Sequence, residues 1–108
     1  MDALPLLVVE LPVPAAGDAE WTRWYHDEHI PDVLRSVDGV VRSRRYRLVG
    51  GQDEYRYLVT HEFSSVDKLR TYQDSAQVDN RWVDYERLWG LPASFRRRGF
   101  EPIFEQRR

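Results

Sequence analysis

The sequence contains no cysteine. Disulfides, thiolate nucleophiles and cysteine-ligated zinc or iron–sulfur sites are excluded together, and a reducing, cytoplasmic setting fits. An excess of either charge is also missing: 16 basic and 18 acidic side chains leave −2 with histidine neutral. No global field therefore draws the chain to nucleic acid or to an anionic membrane. The local basic runs Arg96-Arg97-Arg98 and Arg107-Arg108 are not interleaved with the stacking aromatics that single-strand binding uses. Long apolar runs are absent as well. Leu4 to Leu11 is interrupted by Pro5 and Glu10 and followed by Pro12 and Pro14, so neither a signal peptide nor a membrane span is expected. Gly50-Gly51 fits neither the Rossmann nor the Walker pattern, and no serine sits in a Gly-x-Ser-x-Gly elbow. Nucleotide cofactors and covalent serine chemistry are set aside on those grounds.

What is present is one domain's worth of chain: 108 residues, 42% hydrophobic and 31% charged, with 13% aromatic residues. Leu6-Leu7-Val8-Val9 predicts a strand, closed by Pro12, Pro14 and Gly17. Asp18 is a candidate N-cap for a helix over Ala19 to Leu34, ended before Gly39. At about 100° per residue, Trp21, Trp24, Tyr25, Glu28 and Asp32 share one face and Ile30, Val33, Leu34 and Val37 the opposite one. Pro31 sits where the stripe changes side, which predicts a kink or two short helices meeting at His29-Ile30-Pro31, with Ile30 pushed out of the helical region. Val40 to Val49 and Tyr55 to Phe63 read as strands joined by a loop at Gly50 to Glu54. Ser64 or Ser65 caps a helix in which Val66, Leu69 and Gln73 lie together, and a further helix carries Val78, Trp82, Tyr85 and Trp89. A last strand runs from about Phe95 to Phe104, with Pro102 marking it as an edge.

The resulting order, β-α-β-β-α-β over residues 1–108, predicts an α+β fold: a ferredoxin-like four-stranded antiparallel sheet with helices on one face. Leu6 and Val8 point one way and Leu7 and Val9 the other, while Val59 and Phe63 oppose Leu58 and Thr60. Apolar residues on both faces call for a second cover, and the simplest is another copy of the same sheet.

His26, His29 and His61 are the acid/base candidates near neutral pH. If the first helical piece ends near His29, free carbonyls there, together with Glu28 and Asp32, favour a protonated imidazole able to donate to a ligand carbonyl. A helix-capping histidine is the alternative. His61 shares a face with Tyr57, Val59 and Phe63, either as a hydrogen-bonded core residue or as a site residue in an apolar cavity. His26 reads as a solvated helix residue. His26 and His29 are three apart, but no complete ligand set accompanies them, so no metal is expected.

Trp24-Tyr25-His26-Asp27-Glu28-His29-Ile30-Pro31-Asp32, followed by Gly39 and Arg44-Arg45-Tyr46, resembles the dimeric α+β barrel superfamily in its EthD-like members, relatives of antibiotic-biosynthesis monooxygenases and polyketide cyclases. The resemblance implies two ferredoxin-like sheets facing each other in a homodimer, with a pocket between helices and sheet in each protomer. It implies proton transfer near carbonyls without any cofactor, carried by histidine, tyrosine and tryptophan. His29 matches the helix histidine of that pattern, Tyr46 an often aromatic strand position, and His61 a position where many relatives carry an aromatic residue. The asparagine that accompanies tryptophan and histidine in haem-degrading relatives is missing from this region. The expected activity is general acid–base catalysis on an aromatic or polyketide-like small molecule, as a cyclase, dehydratase or related lyase or isomerase. His29, Tyr46 and His61 would be catalytic, and Trp24, Tyr25, Tyr57 and Trp82 would line the substrate. Cofactor-free oxygenation and a non-catalytic binding module are the rival expectations. Because the dimer follows from two apolar sheet faces, light scattering at micromolar concentration should return about twice the 12.9 kDa chain mass, and a stable folded monomer would overturn it.

Overall fold

The computed structural model describes residues 2–11, 18–51, 57–75 and 96–108. Strands β1 (Leu6–Leu11), β2 (Val40–Arg47), β3 (Tyr57–Phe63) and β4 (Arg96–Phe100) form one sheet in the order β2-β3-β1-β4. Every neighbouring pair is antiparallel, as the ferredoxin-like order requires. Between β1 and β2 lie α1 (Asp18–Trp24), a π-helical turn (Tyr25–His29) and α2 (Ile30–Ser36), and α3 (Val66–Gln73) follows β3. The predicted stripe Val78, Trp82, Tyr85 and Trp89 lies outside the described residues.

Period two sets the faces of the sheet. Leu7 pairs with His61 and Val9 with Val59, and these residues, with Phe63, are buried. They pack with Trp21, Tyr25, Val33, Val37 and Leu69 in a single apolar cluster. The opposite face is apolar along its middle and at one residue of each edge strand, Tyr46 opposite Leu58 and Phe100 opposite Leu6. Leu6, Val8 and Leu58 are half-buried there, but each edge strand adds arginines. Glu62 pairs with Arg42 at 2.7 Å and Arg44 at 3.0 Å, and Glu10 with Arg96 at 2.6 Å and Arg98 at 2.9 Å.

The expected break at Pro31 takes another form. Ile30 is helical at φ −62°, ψ −47°, and its N–H donates to the Tyr25 carbonyl five residues back instead of four. The helix therefore does not end at His29; it widens for one turn and continues, with Pro31 in the first turn of α2. A π turn accommodates proline because one residue is looped into the ladder where a proline N–H would be missing. It also explains the change of stripe. In a regular helix Val37 would lie about 160° around from Trp21; the extra residue recovers about 100° of this, returning both to one buried face. Leu34, expected with that stripe, is 43% exposed.

Two strand limits also move. β2 stops at Arg47, before exposed Leu48 and Val49, because the chain turns through Gly50 and Gly51 at φ +75° and +70°. β3 is described from Tyr57, as Tyr55 lies outside the described residues. β4 ends at Phe100, ahead of Pro102, which has no N–H for the ladder. The predicted cap on α3 is Ser65, whose hydroxyl accepts from the Lys68 N–H at 3.1 Å.

Gly39 locks α2 to α3. It sits at φ +94°, its carbonyl accepts from the Ser64 N–H at 2.8 Å, and a Cβ there would stand 2.6 Å from the Lys68 Cβ. Gly39→Ala meets both a disfavoured backbone and the base of a side chain that cannot swing away. Denaturant unfolding should show a loss of about 2–4 kcal/mol; an unchanged midpoint would mean that the turn rearranges freely.

Candidate active site around Arg45

Arg45 is on the helix-facing side of β2, opposite Val59 and two residues from Ser43. Charge is unexpected there, and aromatic rings accommodate it. The guanidinium carbon lies 4.3 Å from the centre of the Trp21 ring, 4.3 Å from Tyr57 and 5.3 Å from Tyr25. Trp21 in turn packs 5.0 Å from Tyr25 and 5.7 Å from Tyr57. Contacts of this kind stabilise by about 0.5–2 kcal/mol each, and the flat guanidinium suits stacking as a lysine ammonium does not.

Arg45 Nη1 also lies 3.0 Å from His26 Nε2. An arginine can only donate, so Nε2 accepts in this contact. These two residues border a cavity of about 570 Å³ at the outer end of β2 and β3. Among the described residues, α1 and the π turn contribute Ala19, Thr22 and His26, spaced as one helical stripe. The strands contribute Arg45, Tyr46, Arg47 and Tyr57. The volume suits a drug-sized molecule.

Of the residues expected to form the site, Tyr46 and Tyr57 meet at this cavity. His29 lies elsewhere, half-buried and stacked on Trp24 at 5.1 Å with 27° between the planes, and 4.7 Å from Tyr25. Since the helix continues past His29, the expected free helix end beside it is absent, and Asp32 accepts from Arg35 at 3.0 Å. His61 is 4% exposed and hydrogen-bonded through Nδ1 to Ser43 Oγ at 2.7 Å, a paired core histidine. Tyr25 is buried in the core cluster, and Trp82 lies outside the described residues. His26 is exposed, as expected of a solvated helix residue, and borders the cavity, whereas Arg45 is not singled out by the sequence as a site residue. Strand parity carried a signal for Arg45, which shares a face with Val59 only once β2 and β3 are in register. Among the described residues no group of three His, Asp or Glu side chains is placed to hold a metal ion, and no helix is long and apolar enough to cross a membrane.

Residues 6–85 match the family described as "Domain of unknown function (DUF4286)". The chain belongs to this family. Solved structures relate the DUF4286 chain to wider fold groups. An EthD family protein from Bacillus halodurans aligns with a TM-score of 0.67 at 14% identity, over 93% of this chain and 99% of that one. A DABB family protein with a ferredoxin-like fold from Mesorhizobium loti gives 0.60 at 19%, over 94% and 97%. The cofactor-independent oxygenase SnoaB from Streptomyces nogalater gives 0.59 at 12%, over 95% and 97%. At these identities the likeness is one of fold, and at that level the resemblance to EthD-like proteins holds. A search of curated proteins found no significant match.

If stacking on Arg45 anchors the DUF4286 helix to its sheet, Arg45→Ala should cost about 1–3 kcal/mol in denaturant unfolding, Arg45→Lys rather less, and His26→Ala under about 1 kcal/mol. Equal losses for alanine and lysine would show that the planar guanidinium adds nothing beyond its charge.

Proposed function

We propose that the protein is a cofactor-independent enzyme that moves protons on an aromatic or polyketide-like ketone, as a cyclase, dehydratase or related lyase or isomerase, within the cavity beside Arg45. The carrying observation is the contact of His26 Nε2 with Arg45 Nη1 at a cavity that Tyr46 and Tyr57 also line. A substrate carbonyl that takes the Arg45 Nη1 donor for itself releases the His26 Nε2 lone pair next to it. His26 then removes a proton from the carbon beside that carbonyl, and the electron pair moves onto the oxygen, where the guanidinium stabilises the charge. Returning the proton from His26 at another position completes an isomerisation; loss of a leaving group instead completes an elimination. The step needs neither a redox equivalent nor a metal.

His26 thus replaces His29 as the proposed base, with Tyr57 contacting the substrate; Tyr46 borders the cavity but alternates with Arg45 and Arg47 onto the open face of the sheet. His29, braced by Trp24 and Tyr25, orders the π turn that presents His26, and His61 supports the sheet beneath. The assembly proposed with this site is a homodimer through the open face of the sheet, whose half-buried Leu6, Val8 and Leu58 a second copy would cover. Cofactor-free oxygenation is the second reading, supported by the shared fold with SnoaB, since the same enolate is the species that would react with oxygen.

Enolisation is measurable without knowing the natural substrate. With aryl ketones in deuterated buffer, the protein should accelerate exchange at the carbon beside the carbonyl, followed by NMR. His26→Ala should slow this about 10²-fold or more while His29→Ala stays within a few-fold of wild type. The reverse pattern would restore the histidine assigned by resemblance. Oxygen consumption with electron-rich phenols and no added cofactor would favour the second reading.

A further inference from the structure

The cavity has a second arginine whose surroundings differ from those of the other arginines on the sheet. Arg42, Arg44, Arg96 and Arg98 each pair with Glu62 or Glu10. Arg47 also lies on β2, lines the cavity, and has no side-chain hydrogen bond or ion pair with any described residue. It follows Arg45 by two residues and pairs across the sheet with Tyr57, so both arginines and Tyr57 share one face at one end of the sheet, about 6.5 Å apart along the strand. No carboxylate is among the described residues lining the cavity. A cation that no described residue compensates, beside a cavity bordered by Tyr57, is a recognition element for a planar anion, because the guanidinium fork matches a carboxylate with two parallel hydrogen bonds.

We propose that the ligand of this cavity is an aromatic carboxylate, its carboxylate held by Arg47 and its ring lying toward Tyr57. Resting on the function proposed above, this makes the substrate a carboxylated aromatic ketone, with Arg45 serving the reacting oxygen and Arg47 the acid group. The short spacing of the two arginines puts both groups within reach on a single ring.

The test is calorimetric titration of the full chain with naphthoate, its neutral isostere naphthamide, and inorganic phosphate. Naphthoate should bind at least about 10-fold more tightly than naphthamide at low salt, and the advantage should shrink as salt is raised. Arg47→Met should abolish the advantage while leaving naphthamide affinity and melting temperature unchanged, since the exposed Arg47 side chain bonds no described residue. Equal affinity for the two naphthyl ligands, or a preference that survives Arg47→Met, would overturn the proposal and leave the enolisation chemistry standing. Phosphate binding as tightly as naphthoate would identify a general anion site and also overturn it. If neither naphthyl ligand binds, both this proposal and the aromatic cavity fail. A naphthoate preference without any deuterium exchange on aryl ketones would remove the catalytic function alone.

Discussion

A single guanidinium organises one end of this molecule. Arg45 comes from an edge strand, yet its side chain turns inward between Trp21 of α1 and Tyr57 of β3, at 4.3 Å from each ring. Three elements remote in sequence therefore meet on one planar cation. Ordinary apolar packing could join them too, but it would leave no polar donor at the surface of the core. The stacked arrangement keeps one nitrogen available to His26 at 3.0 Å, so the contact that holds helix to sheet also fixes the imidazole next to it.

The π turn plays the complementary part on the helix side. Tyr25 and His29 bound it, and within its span Tyr25 is buried while His26 is exposed and reaches Arg45. A wide turn fixes side chains in directions a regular helix does not offer, which is why such turns recur at functional sites. Here it reconciles two demands: Trp21 and Tyr25 must cover one end of the sheet and Val33 and Val37 the other, although a regular helix would carry the two pairs to different sides.

Much of the sheet was legible in the sequence because strand alternation is a strict period. Leu7, Val9, Val59 and Phe63 follow from it, whereas alternation alone left His61 open between core and site, and Ser64 and Ser65 were both candidates to cap their helix. The helix was read less well. A stripe that changes face beside proline has the same appearance whether the chain kinks or loops one residue out, and only the observed Ile30 to Tyr25 hydrogen bond separates the two. The site was hardest to read. Arg45 violates the pattern that identifies strands, and its rings lie at positions 21, 25 and 57, brought together only by register and by the helix crossing the sheet. His29 drew attention through its neighbours in sequence, whereas His26 matters through a neighbour nineteen residues away.

The arginines on the outer strands have a consequence for how copies of the chain can meet. β2 and β4 are the outer strands among the described ones, and sheet edges invite further strands to add by backbone pairing. Each edge here has two arginines held by one glutamate, Arg42 and Arg44 on Glu62 and Arg96 and Arg98 on Glu10. Charged side chains along a strand edge disfavour sideways pairing with another strand, so these arginines guard the sheet against extension into a continuous ribbon.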